Sequence, residues 1–418
     1  FCYNFQKSEL KSKRCVMLIT GFSFQNLYSF EDFTVDLTYP RPLKFTTIEH
    51  EYLSFAPRFK VKRVCIISGG NATGKTSLGK LLCAATNFIA GRNNGMSYIK
   101  VRDPKVDATL RLEFLIPRNR TFHEAILGFR LSENQIDKEL GTELIRIEHR
   151  VINIRESDTP IIARNRLAKA DCNFESLEKS PEINLTKYLN NKIWPEGGDI
   201  SINQLLWKYI FYETSEPTDK RLADLEFVDL DIASKILKAF DPTILGIKEL
   251  VAREEQNKSN EAPKTQAYKI EFSNGNHITL DSGKFTNPDG YKRLSKGTFE
   301  ALSIIDFIET IIHFKKHDAS ATLFLDERMA HVHTQLETAM LNVMIQKLGK
   351  TSQLFYTTHN ADLLEMEIPI HSHLFLKRND NFLVEAVQPE TVFKKNDRKV
   401  SQYVKNDIFG TCPDTSLI

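Results

Sequence analysis

Between a short apolar run, Val61-Lys62-Arg63-Val64-Cys65-Ile66-Ile67-Ser68, and a helical repeat of apolar residues from Gly74 to Ala90 stands Gly69-Gly70-Asn71-Ala72-Thr73-Gly74-Lys75-Thr76. The octapeptide fits GxxxxGK[ST], and its flanks predict strand, loop and helix, the setting in which that pattern is a phosphate cradle instead of an ordinary Gly-rich turn. Glycines at such a bend let successive backbone N–H groups turn inward around an anion, and the helix N-terminus adds its partial positive charge. Gly70, Asn71, Ala72, Thr73, Gly74 and Ser77 are then the lining of the cradle. Lys75 is placed to neutralise the outer phosphates of a nucleotide, and the Thr76 hydroxyl to ligate Mg²⁺. A buried strand feeding such a loop makes the expected class α/β.

The rest of the chain has to supply the sheet. Its 418 residues are 41% hydrophobic, enough for one large α/β domain and a smaller one, so disorder is not the expectation. Lys and Arg number 56 against 54 Asp and Glu, a net charge of +2, which gives no compositional case for nucleic-acid binding. Cys2, Cys15, Cys65, Cys83, Cys172 and Cys412 are scattered without a CxxC pair, as in a reducing cytosol. No run reaches the roughly 18 apolar residues of a membrane helix. Phe1 to Cys15 carries charges where a secretory leader is apolar, and Met17 is a candidate internal start. The expected location is cytoplasmic, without membrane contact.

Met17 to Leu37 alternates apolar and polar residues about a turn and reads as an antiparallel hairpin; Asp107–Pro117 and Thr121–Leu131 read as two more strands of an antiparallel layer. From about Glu133 to Ala252 the pattern is mixed and read as mainly helical, broken at Trp194-Pro195-Glu196-Gly197-Gly198. Arg253–Gln266 is polar and expected to be an exposed linker, followed by a hairpin, Ala267–Phe272 and His277–Leu280. The expected organisation is therefore residues 17–132 with the phosphate loop, a helical insert at 133–252, and a second lobe at 267–418.

Three further segments carry chemistry. Ala321-Thr322-Leu323-Phe324-Leu325-Asp326-Glu327 is an apolar strand ending in two acids, with Asp326 suited to hold Mg²⁺ and Glu327 to orient or deprotonate a water. Alone, it is equally a solvated strand end. Ser295-Lys296-Gly297 at the start of a helix can present N–H donors and a hydroxyl to a phosphate, or can be an ordinary cap. Gln353-Leu354-Phe355-Tyr356-Thr357-Thr358-His359-Asn360 is a second buried strand, ending in a histidine able to bond a phosphate or the attacking water. His331 and His333 lack a third ligand set and favour a dimer-interface or supporting role over zinc. Lys394, Lys395, Arg398, Lys399 and Lys405 form a basic cluster, read as a solvated face before a phosphate or acidic-partner site.

In this order the segments resemble the ABC-type ATPases of the SMC, RecF and OLD group: phosphate loop, signature, acidic strand end, switch histidine. Asn26-Leu27-Tyr28-Ser29-Phe30 is similar to that group's N-F-R-S-F segment, and Phe240-Asp241-Pro242-Thr243-Ile244 to one common among its defence-associated members. The resemblance covers roughly 17–130 and 267–376. It implies an ABC-type fold with a mixed central sheet, an antiparallel β layer and a helical inserted subdomain. It implies ATP and Mg²⁺ as ligands, Glu327 and His359 as catalytic residues, and a homodimer or higher oligomer that sandwiches ATP with Ser295, Lys296 and Gly297 reaching the partner's nucleotide.

Three departures stand out. Tyr28 replaces the arginine of the N-terminal segment, Lys296 replaces the second signature glycine, and Arg328 replaces the usual proline after Glu327. Gln135 is the candidate for the glutamine of the loop between the lobes. The stretch beyond His359 is too short for the nuclease domain that some members carry. The chain therefore resembles the ATPase component of two-gene anti-phage systems of the PARIS or Septu type, which implies a separate effector, expected to be a nuclease. A RecF-like ATPase closing on DNA in repair or replication is the alternative.

Overall fold

The computed structural model describes residues 17–39, 47–90, 93–133, 140–176, 207–212, 229–250, 267–281, 284–285, 296–329, 332–393 and 400–410. They fall into two compact units. The larger holds the described residues up to Glu213, then Ala319–Glu327, then those from Lys350 on; the smaller holds those between Thr214 and Asp318 and between Arg328 and Gly349.

The larger unit opens with β1 (Leu18–Gln25) and β2 (Phe33–Asp36), the antiparallel pair that the alternation predicts. A ribbon, β3 (Tyr52–Leu53) and β4 (Ala56–Lys60), precedes β5 (Val64–Gly69) and α1 (Lys75–Ile89). After them come β6 (Ala108–Ile116), β7 (Thr121–Glu133), β8 (Leu140–Asn153), α2 (Pro160–Leu167), β9 (Asn173–Ser176) and β10 (Trp207–Tyr212). The smaller unit takes α3 (Leu230–Phe240), β11 (Ile244–Leu250), β12 (Ala267–Phe272), β13 (His277–Asp281), β14 (Lys284–Phe285), α4 (Lys296–Lys316) and α5 (Thr334–Lys347). The chain gives the larger unit β15 (Ser320–Asp326) on its way, then β16 (Gln353–Thr358), β17 (His373–Arg378), β18 (Val384–Val387), α6 (Pro389–Val392) and α7 (Val400–Lys405).

The expectation of a mainly helical stretch at 133–252 is corrected. Its described residues carry four strands, β8 to β11, beside the two helices α2 and α3. In β8, Ile145, Ile147 and His149 are buried while Arg146, Glu148 and Arg150 between them are half-buried, the period-2 signature of a strand. Several expected features lie outside the described residues: the break at Trp194–Gly198, the linker Arg253–Gln266, Gln135, Ser295, His331, and the basic residues Lys394, Lys395, Arg398 and Lys399. Lys405 ends α7.

Two sheets build the larger unit. One is antiparallel, in the order β2-β1-β6-β7-β8-β9. The other runs β10-β15-β16-β5-β17-β18, with all neighbours parallel except the last pair. Parallel strands covered on both faces are mostly apolar, and β15 and β16 are buried at every position, their polar residues included. Helix α1 packs in a core that joins β1, β6 and β7 to β5, β15 and β16. Its approach is close: a Cβ on Gly79 would sit 2.6 Å from the Phe211 ring and 2.7 Å from that of Phe324.

Two glutamines, Gln353 buried and Gln388 half-buried, fasten the sheets where no strand pairing can. Gln353, on β16, accepts from the Ile19 N–H at 2.7 Å and donates to the Ile19 carbonyl at 2.8 Å and the Lys62 carbonyl at 3.1 Å. Gln388 treats Asp36 the same way, accepting its N–H at 2.9 Å and donating to its carbonyl at 2.6 Å. Each side chain acts as one residue of a missing strand. Arg164 of α2 adds a paired contact to the Asp36 carboxylate, 2.7 and 2.8 Å, and another to Glu113 at 2.8 Å. Burial would raise the Asp36 carboxyl, yet the Arg164 bonds and charge hold it below the usual range.

The smaller unit has its own sheet, β11-β12-β13-β14, antiparallel throughout. Asp229 caps α3 by accepting from the Ile232 N–H, and Glu309 of α4 accepts from the Asp229 N–H. Asp241 ends α3, accepts from Thr243 and receives the Thr298 hydroxyl at 3.1 Å, tying the Phe240–Ile244 segment to the first turn of α4.

Three histidines of the larger unit are buried neutral. His123 and His149 bond each other at 3.1 Å, and burial pulls them down to about 3 and about 4; burial beside His371 takes His373 down to about 4. Below pH 6.5 the unfolded chain therefore takes up protons that the folded one does not. Stability should fall as pH drops from about 6.5 to about 4, with a slope of up to about 1.4 kcal/mol per pH unit for each histidine. Urea midpoints across that range measure it. His373→Phe should flatten the slope, and an unchanged slope would contradict the assignment.

Candidate functional site

The carboxyl end of β5 delivers the glycine loop. A Cβ on Gly69 would lie 2.5 Å from the Leu376 carbonyl of β17 and 2.7 Å from the Thr73 hydroxyl, so a side chain has no room there. Ala72 at φ 58° and Gly74 at φ 90° turn the backbone through left-handed conformations, and the Gly74 carbonyl accepts the first α1 bond, from Leu78. The Thr73 hydroxyl closes the loop on the Gly70 carbonyl at 2.9 Å.

Strand β16 lies between β5 and β15, which sets the two outer strands about 10 Å apart at the usual strand spacing. Residues 250 positions apart in sequence bridge that gap: the Thr76 hydroxyl donates to Asp326 Oδ2 at 2.5 Å. Thr357 of the middle strand donates to Asp326 Oδ1 at 2.8 Å and accepts the Glu327 N–H at 2.9 Å, fixing both acids at once. Glu327 leaves β15 at φ 48°, a left-handed conformation that costs a non-glycine residue about 1–2 kcal/mol. That twist turns its carboxylate onto Lys75 Nζ at 3.2 Å and His359 Nε2 at 2.7 Å. His359 is held at the end of β16 by the turn after it, where the Asn360 side chain accepts from the Asp362 N–H at 3.0 Å.

Lys75, 3% exposed, donates to the Gly69 and Gly70 carbonyls at 2.9 Å each and approaches His359 Nδ1 at 3.5 Å. Burial pulls its ammonium below the ordinary lysine range against the opposing charges of Glu327 and Asp326. Asp326 is shifted the other way: burial and the Glu327 charge raise it, and the bonds from Thr76 and Thr357 do not fully offset them. Burial is the main cause of both shifts. An incoming anion beside Lys75 and a cation beside Asp326 would each relieve one of them. The Thr76 hydroxyl and Asp326 carboxylate are hard oxygen donors brought together, a set that fits Mg²⁺.

In front of these groups opens a cavity of about 420 Å³, lined by residues 71–77, Glu327, Tyr28, Ser29, Phe30, Arg378 and Val384. That volume is within the range of small-molecule sites. Tyr28, Ala72 and Glu327, all with positive φ, share its wall, the clustering of backbone strain expected at a ligand site. Tyr28, expected as an aromatic substitute for an arginine, is fixed by its hydroxyl on the Tyr98 carbonyl at 2.8 Å.

Lys75, Thr76, Asp326, Glu327 and His359 thus meet, with Gly70 through Ser77 around them. Ser295 lies outside the described residues; Lys296 opens α4, with Gly297 in its first turn, in the smaller unit. His331 is likewise outside, and His333 caps α5 by accepting from the Gln335 N–H. Two residues of the site were missed by sequence reading. Thr357 was visible only as part of a strand, and Arg378 belongs to no motif.

No protein-family model and no curated protein matches the sequence. Among solved structures, the chain is similar to the SMC head domain from Thermotoga maritima at 10% identity and a TM-score of 0.41, covering 88% of this chain and 98% of that one. It is similar to the Pyrococcus furiosus Smc head domain bound to the C-terminal domain of ScpA at 10% identity and 0.42, covering 90% and 98%. The recombination mediator protein RecF, in complex with ATPrS, is similar at 12% identity and 0.36, covering 89% and 98%.

Thr357→Val keeps the shape of the side chain but strands the Glu327 N–H and one Asp326 oxygen. It should cost about 1–3 kcal/mol, seen as a lower urea midpoint with an unchanged m-value.

Proposed function

We propose that the chain is a P-loop ATPase of the ABC type, binding ATP with Mg²⁺ in this cavity and hydrolysing it. The observation that carries the reading is the meeting of Lys75, Thr76, Asp326, Glu327 and His359 at the mouth of a glycine loop, from strands far apart in sequence. The inward N–H groups of residues 71–77 and the amino end of α1 bind the phosphates. Lys75 exchanges Glu327 for the phosphate chain, which releases the carboxylate towards a water. Glu327 takes that water's proton, and His359, already bonded to it, orients the pair. Thr76 and Asp326 would hold Mg²⁺, which when bound would supply positive charge to the phosphate oxygens.

The finer reading rests on the sequence resemblance. Two chains close on two nucleotides, with Ser295, Lys296 and Gly297 of each meeting the nucleotide of the other. ATP then acts as the glue of a dimer that controls a separate effector nuclease in anti-phage defence. No helix among the described residues is long and apolar enough to cross a membrane.

ATP binding and turnover of the purified protein test the site. Lys75→Ala should lose binding by about a hundredfold, whereas Glu327→Gln should keep it and lose turnover by 10²-fold or more. A Glu327→Gln protein that turns over at the wild-type rate would overturn the role given to that residue. For the finer reading, Glu327→Gln with ATP should shift in mass to a dimer and retain a second protein expressed from the same operon. Turnover stimulated by duplex DNA, salt-sensitive and with no second protein retained, would speak for a DNA-closing ATPase instead.

A further inference from the structure

The described residues that line the cavity include two cations, Lys75 and Arg378. They differ in what already binds them. Lys75 is buried and has Glu327 as its counter-ion. Arg378 ends β17 opposite Val384 of β18 and donates through Nε to the Ala72 carbonyl at 2.8 Å and through Nη1 to the Phe382 carbonyl. It has no carboxylate partner among the described residues. Two neutral carbonyls thus fix the plane of a guanidinium against the glycine loop. Of its five N–H donors, three are left over.

The hairpin that carries it is held rigidly to the cavity. Asn379 closes the turn, its side chain accepting from the Asn381 and Leu383 N–H groups at 3.0 Å each. The Val384 N–H donates to the Ser29 carbonyl at 2.8 Å, and a Cβ on Gly74 would lie 3.1 Å from the Phe30 ring and 3.4 Å from Val384. A positive group whose charge is unmatched, locked in place at the rim of an anion cradle, is preorganised for phosphate, which a guanidinium binds through paired N–H bonds.

We infer that Arg378 is a second phosphate-binding cation of this site, contacting the phosphate chain of the nucleotide from the Ala72 side of the glycine loop. The inference rests on the nucleotide-site reading above. Affinity then has two sources of positive charge, one at the start of α1 and one at the end of β17, and the Arg378 part is available without breaking an ion pair.

Calorimetric titration of the full chain with ATP, ADP and adenosine in the presence of Mg²⁺ tests this, using wild type, Arg378→Gln, Arg378→Lys and Lys75→Ala. Gln keeps an N–H donor for the Ala72 carbonyl but removes the charge, the spare N–H donors and the Nη1 bond to the Phe382 carbonyl; thermal melting checks that the hairpin stays folded. Arg378→Gln should weaken ATP and ADP about tenfold, leave adenosine unchanged and reduce the salt dependence of ATP binding. Arg378→Lys should recover part of the loss. Wild-type ATP affinity in Arg378→Gln, with Lys75→Ala still impaired, would overturn the inference alone. An equal loss for adenosine would place Arg378 on the base and overturn it too. Failure of the wild type to bind ATP at all would overturn both this inference and the nucleotide-site reading.

Discussion

A buried ammonium next to two carboxylates is stable only if geometry is supplied from outside the three groups, and here the supply is the strand β16. It holds β5 and β15 apart, lends Thr357 to Asp326 and Glu327, and ends in His359. Without that strand in between, the glycine loop and the acids would sit side by side, and there would be no gap in front of Lys75 for a third party. The core of α1 against both sheets, and the glutamines that tie β1 and β2 to the parallel sheet, keep those spacings from relaxing.

The electrostatics follow from this frame. Lys75 and Asp326 are displaced in opposite directions, each mainly by burial, and Glu327 acts on both, helping the lysine keep its proton and hindering the aspartate from losing its own. A ligand pair of opposite charges answers both displacements together. This coupling explains why the hydroxyl of Thr76 is spent on Asp326 and why the lysine turns back on its own loop's carbonyls.

How much of this could be read from the chain depends on whether a feature is local. The glycine loop announces itself because its backbone requirements and its flanking strand and helix are contiguous. The acidic strand end and His359 were readable as segments, but only pairing in the sheet shows that Asp326 stands next to Thr357 and across from Thr76. The stretch after Glu133 was misread because its strands carry charge on one face. In β8 the charged Arg146, Glu148 and Arg150 alternate with Ile145, Ile147 and His149, a period-2 pattern that was present to be counted, and Arg150 pairs with Glu124 of β7. Arg378 could not be found at all from spacing. Its meaning comes from a hairpin folding back on Ala72, some 306 positions away.

The ion pair between Lys75 and Glu327 has a kinetic side. If Glu327 is the base, as proposed, its contact with Lys75 would make it a weaker acceptor for a water's proton until a phosphate competes for the ammonium. On that reading the substrate's own charge would free the group that attacks it, coupling binding to chemistry through one contact.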